Sequence, residues 1–145
     1  MLFDSGLGDG TLSWRGVQGE IAKTTRACSY DRANYFFSDA VDRRATAQAA
    51  VDDMLALIDR AHLGDRVVLV GHSRGGLNAR LFTYEHTNRV RGLVLVDPTV
   101  TEQLARRPRP TTSTSTKIIC RAASNWKIAI AQRYSTTCNP KARIR

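Results

Sequence analysis

Ten residues constrain this chain more than any others: Val67-Val68-Leu69-Val70-Gly71-His72-Ser73-Arg74-Gly75-Gly76. The continuous apolar run at residues 67–70 predicts a strand buried on both faces. Residues 75–86 predict a helix, with Leu77, Leu81, Phe82 and Tyr84 as its bulky apolar positions. Gly-x-Ser-x-Gly between a buried strand and a helix requires a very tight turn. In that turn the serine takes a strained backbone conformation. Side chains two residues to either side would collide, which accounts for Gly71 and Gly75. The Ser73 hydroxyl is then aimed out of the carboxyl end of the strand. It also sits at the amino end of a helix, whose dipole favours an oxyanion. The Arg74 backbone N–H is one candidate oxyanion donor. The competing reading is an ordinary strand-to-helix turn.

The rest of the first hundred residues alternates in the same way. Residues 14–23 predict a helix with Val17, Ile21 and Ala22 on one side, and residues 27–30 a short strand. Residues 46–62 predict the clearest helix. Ala47, Ala50, Val51, Met54, Leu55, Ile58 and Ala61 recur at three- and four-residue steps, opposite Asp52, Asp53, Asp59 and Arg60. Residues 90–96 predict a second fully apolar strand, closed by Asp97-Pro98, and Phe3 belongs to one more. Strands alternating with helices predict an α/β fold with right-handed crossovers and a mostly parallel sheet of about four strands. The loop after the first strand, Asp4-Ser5-Gly6-Leu7-Gly8-Asp9-Gly10, is placed beside the serine turn. Gly6 and Gly8 let a backbone N–H turn inward, that of Leu7 ahead of that of Gly8. A nucleotide-phosphate loop is the rival reading, though the pattern is neither G-x-G-x-x-G nor a Walker motif.

Charge divides the chain at Gln103. Residues 1–103 hold 12 Lys and Arg and all 13 Asp and Glu, a balance of −1. Residues 104–145 hold the other 10 Lys and Arg and no acid, a balance of +10. All ten glycines lie between Gly6 and Gly92. The division predicts a near-neutral globular core followed by a basic Ser/Thr-rich tail that is poorly ordered. Three readings of the tail compete: sequence foreign to the core, a disordered basic arm, or an unusual cap over Ser73. Its charge supports at most weak, salt-sensitive, nonspecific nucleic-acid binding, and no specific partner is predicted. No run approaches the ~20 apolar residues of a membrane span, and no secretory signal is recognisable. Cys28, Cys120 and Cys138 are too few and too scattered for a disulfide framework or a metal site, and fit a reducing, cytoplasmic setting.

The chain resembles the α/β-hydrolase superfamily in its esterase, lipase and proline-iminopeptidase-like branch. Ser5-Gly6-Leu7-Gly8, Tyr30-Asp31-Arg32-Ala33, the segment 71–76 and Arg91-Gly92-Leu93-Val94-Leu95-Val96-Asp97-Pro98 carry the resemblance, in the family's order. It implies attack on an ester or amide carbonyl by Ser73, with Leu7 and Arg74 as oxyanion donors and a histidine base oriented by an acid. No cofactor or metal is implied. The family adds strands before and after this stretch, a cap, and an acid and a histidine that follow later strands. Those positions have no counterpart here, and Asn34-Tyr35-Phe36-Phe37-Ser38 stands where the family has a glycine-rich turn. The chain is thus expected to be a partial core.

Three histidines are candidates for the base. His72 adjoins Ser73, and its side chain diverges. His62 precedes the strand that Ser73 follows, about 17 Å away at ~3.3 Å per residue. His86 ends the following helix, roughly 20 Å away at ~1.5 Å per residue. A base must come within about 3 Å of the proton it takes, or act through one water, and none qualifies. Asp97 is a weak candidate for the acid, with capping of the next turn as its alternative role. The expectation is a serine hydrolase impaired by the lack of its histidine, or a non-catalytic remnant or binding module of the same fold.

Overall fold

The computed structural model describes residues 1–100 and the pair Ile118–Ile119. Five strands form one sheet: β1 (Leu2–Asp4), β2 (Cys28–Ser29), β3 (Val67–His72), β4 (Val90–Val96) and β5 (Ile118–Ile119), in the order β2-β1-β3-β4-β5. The first four run parallel, and β5 pairs antiparallel with β4 through Leu95–Ile119 and Val96–Ile118. Helices α1 (Arg15–Ala22), α2 (Ala47–Arg60) and α3 (Arg74–Glu85) make the crossovers. This is the predicted α/β class. Apart from Ile118–Ile119, the predicted tail at 104–145 lies outside the described residues.

Strand order decides where a site can form. The chain leaves β1 toward one edge, to β2, then returns past β1 to β3 and continues to β4. Loops leaving the carboxyl ends of β1 and β3 therefore diverge, and that divergence opens the crevice in which α/β sheets bind ligands. Residues 5–10 follow β1 and Ser73 follows β3, so the two motifs read from the sequence meet there.

Alternation along β1 separates two cores. Leu2 joins Val51, Met54, Ile58, Leu69, Ala79 and Phe82 beneath α2 and α3. Phe3 faces the other way and packs with Trp14, Ala27 and Val70. The predicted apolar stripe of residues 46–62 is the buried face of α2, and the Thr46 hydroxyl caps it by accepting from the Ala49 N–H at 3.0 Å.

Three packing expectations are corrected. In α3 the buried residues are Gly75, Gly76, Asn78, Ala79 and Phe82, while Tyr84 is 86% exposed. The helix comes so close to the sheet that its inner face is built from small residues. Helix α1 buries none of its residues, and Val17 is exposed. The anchor of this segment is Trp14 in the preceding 3-10 turn, with its ring 5.0 Å from that of Phe3. Strand β4 is buried only at Val90, because its outer neighbour among the described residues is the two-residue β5.

Cys28 is disulfide-bonded. Three cysteines allow one such bond within a chain, which is short of a framework. No described helix is long and apolar enough to cross a membrane.

Candidate active site

Ser73 has φ 50° and ψ −118°, a region that costs a non-glycine residue about 1–3 kcal/mol. The corner is fixed on both sides. A Cβ on Gly71 would lie 2.5 Å from the Gly75 carbonyl oxygen and 2.6 Å from the Gly76 Cα. Gly75 was expected to avoid the other arm of the same turn. Its actual obstacle is β1: a Cβ there would be driven into the Asp4 carbonyl and would lie 2.7 Å from that of Ser5. Gly76 is pressed in the same way against Pro98. Arg74 opens α3, so its N–H belongs to the first turn, where amides have no partner within the helix.

The loop after β1 covers this corner. A Cβ on Gly6 would lie 3.2 Å from His72 Nδ1 and 3.6 Å from the Ser73 Cβ, so the Gly6 backbone rests on the two residues. Leu7 follows with its side chain exposed, and Gly8 has φ 75°. The loop is tied down along its length. Ser5 Oγ donates to the Gly10 carbonyl and accepts from Trp14 Nε1, both at 2.8 Å. The Thr11 N–H donates to Asp31 Oδ1 at 2.8 Å. Asp9 accepts from the Ser13 hydroxyl and from the Gly10 N–H, and the first of these above all holds its carboxyl below the usual range.

Beneath the loop lies a buried polar network that sequence reasoning missed. Arg32 Nη1 donates to Asp4 Oδ1 at 2.5 Å and to the Ser5 carbonyl at 2.6 Å, and its Nη2 donates to the Gly6 carbonyl. Asn78, fully buried in α3, donates to Asp4 Oδ2 at 2.9 Å. Burial is the largest single influence on the Arg32 guanidinium and disfavours its charge, but the Asp4 carboxylate, by charge and hydrogen bond, together with Tyr30 and Tyr35 holds the Arg32 pKa above its usual value. Burial, with the same carboxylate nearby, pushes the Tyr30 hydroxyl well up, so it stays neutral. Arg32 was in view only as part of the Tyr30-Asp31-Arg32-Ala33 signature. The available signals are Asp4 at the end of the first strand and Arg32 just after the second.

The remaining candidates sit as follows. His62 is at the end of α2 with φ 48°, on the far side of β3 from Ser73. His86 caps the far end of α3, its ring 4.9 Å from that of Phe82. Asp97, exposed and with φ 42°, follows β4. The residue that reaches Ser73 from this segment is Thr99: its N–H donates to the Ser73 carbonyl at 2.9 Å, and the two hydroxyls are 3.4 Å apart. A concavity lined by Arg32, Tyr35, Arg43, Thr46 and Arg74 lies beside the corner and does not include Ser73. Among the described residues no group of metal-ligating side chains gathers.

A parallel sheet with a serine corner and a glycine loop at its switch point defines an α/β fold of the hydrolase type. The sequence model of the alpha/beta hydrolase fold matches residues 1–130, and the chain belongs to that family. The match runs past residue 103, where the division in charge falls. The probable transporter efuK of Hormonema carpetanum is 31% identical over 112 residues, covering 74% of this chain and 16% of that protein. A marine microorganism esterase superposes with a TM-score of 0.61 at 23% identity, over 65% of this chain and 35% of its own. A monoacylglycerol lipase of Paleococcus ferrophilus gives 0.60 at 19% identity, over 72% of this chain and 43% of its own. The chain therefore spans less than half the length of each of these proteins.

Proposed function

We propose that the chain carries the nucleophile and oxyanion half of a serine hydrolase acting on small ester or amide substrates. The observation that supports this best is the positive-φ corner at Ser73, facing a glycine loop at the carboxyl ends of β1 and β3. In this reading Ser73 Oγ attacks the carbonyl carbon. The oxygen that takes the electron pair accepts from the N–H groups of Leu7 and Arg74. Collapse expels the alcohol or amine and leaves an acyl group on Ser73, which water then removes. The family's base is a histidine; without one, the Ser73 proton passes to water as the new bond forms, and water returns a proton to the leaving alkoxide or amide. We place none of His62, His72 and His86 in that role, and Asp97 has no histidine to orient.

The expected consequence is large. Losing the base of a triad costs on the order of 10⁶ in kcat, and leaves ~10³–10⁴ over water from the oxyanion hole and binding. The purified chain is expected to turn over an activated aryl ester at that residual rate, and Ser73→Ala to reduce it to the background. Turnover within about tenfold of an ordinary esterase (kcat roughly 10 s⁻¹), abolished by Ser73→Ala, would reveal a base that this reading lacks. Turnover unaffected by Ser73→Ala would favour the non-catalytic binding module. A cytoplasmic location is part of the proposal, and cell fractionation tests it. A disulfide at Cys28 in protein isolated under thiol-blocking conditions would count against it.

A further inference from the structure

We propose that Arg32 is the positioning residue of the oxyanion loop, setting the direction of the Leu7 N–H through the carbonyl of Gly6. The inference rests on the serine-hydrolase reading above. Leu7 N–H and Gly6 C=O belong to one peptide plane, and every peptide bond among the described residues is trans. In a trans peptide the N–H and C=O point in opposite directions. A group that holds the Gly6 oxygen therefore aims the Leu7 N–H the other way. Arg32 Nη2 is that group.

The preceding plane is held as well. Arg32 Nη1 takes the Ser5 carbonyl at 2.6 Å, which fixes the direction of the Gly6 N–H. One planar guanidinium thus anchors two successive carbonyls, and a fork of fixed donors suits that task better than a point charge does. Asp4 holds the fork from behind and is itself held by the Asn78 amide. The need for such an anchor follows from the loop's own sequence. Gly6 and Gly8 flank Leu7, and glycine leaves both adjoining peptide planes free to rotate. Without a clamp the Gly6–Leu7 plane would sample orientations in which a carbonyl, rather than an amide, faces the forming oxyanion. A Cβ on Gly6 would lie 3.6 Å from the Ser73 Cβ, so the residue that begins this plane lies beside the nucleophile. Arg32 itself is buried and need not touch the substrate.

Arg32→Lys is the discriminating variant. Lysine keeps a positive charge opposite Asp4 but has no planar fork to hold both carbonyls. Residual hydrolysis of an activated aryl ester by the full chain is measured with thermal unfolding, next to wild type and Ser73→Ala. Removing one oxyanion donor costs about 10²–10³ in kcat. We expect Arg32→Lys to lose roughly 10²-fold in kcat with KM and the unfolding midpoint nearly unchanged. Where lysine prevents folding, Asp4→Asn with Arg32→Met removes both charges and the fork while keeping an amide oxygen to accept from Asn78. The same fall in kcat is expected there. A folded variant with wild-type kcat overturns the positioning role and leaves the hydrolase reading standing. A fall in kcat accompanied by an equal loss of substrate affinity or a lowered midpoint reduces Arg32 to a structural residue and also overturns it. Wild-type turnover that is independent of Ser73 removes the hydrolase reading and this one together.

Discussion

Gly75→Ala is expected to lower stability by about 3 kcal/mol or more, toward the upper end for an overpacked core. The added methyl meets the backbone of Asp4 and Ser5, and no rotamer change can move a strand's carbonyls aside. Relief requires α3 to withdraw from β1, which opens the core at Ala79 and Phe82 and unseats the corner at Ser73. Gly19→Ala provides the control. A Cβ at Gly19 in α1 meets nothing within 4 Å, and alanine there is expected to stabilise by roughly 0.5–1 kcal/mol through helix propensity. Urea unfolding of the two variants measures the contrast. Equal effects would mean that α3 does not approach the sheet as described.

The second large effect belongs to Asp4→Ala. Its carboxylate is 2% exposed and receives both the Arg32 guanidinium and the Asn78 amide. Removing it leaves a buried charge without its counter-ion, a loss of about 3–5 kcal/mol. The comparison is Asp59→Ala, which breaks the pair with Arg89 at 2.5 Å. There the partners are 55% and 26% exposed, so about 0–1 kcal/mol is at stake. A similar loss from both variants would show that the Asp4–Arg32 pair is not buried.

The two variants also show how far the sequence could be read. The corner at Ser73 was legible because it is local: strand, two glycines, serine and helix lie within ten consecutive residues. The buried face of α2 was legible because its periodicity is continuous. The Asp4–Arg32–Asn78 network was not, because it joins residues 28 and 74 positions apart, and only the packed sheet brings them together. Thr99 was missed for the same reason, since it reaches Ser73 from the next strand's loop. A Cβ on Gly75 meets Asp4 and Ser5 rather than the other arm of the turn. The pattern of the turn fixes which residues must be small and is silent about which strand lies across from them. Tyr84 counts as bulky and apolar in a helical pattern yet stands exposed, while α3 brings Gly75, Gly76 and Ala79 close to the sheet.

In the proposed reading the half-buried Ser73 hydroxyl meets a carbonyl or phosphoryl centre beside inward-facing amides. Incubation of the full chain with a fluorophosphonate, followed by peptide mass spectrometry, tests it most directly. A single adduct is expected on the peptide containing Ser73, formed slowly for want of a base and absent after Ser73→Ala. A chain that emerges unmodified, or one modified to the same extent without Ser73, would contradict it.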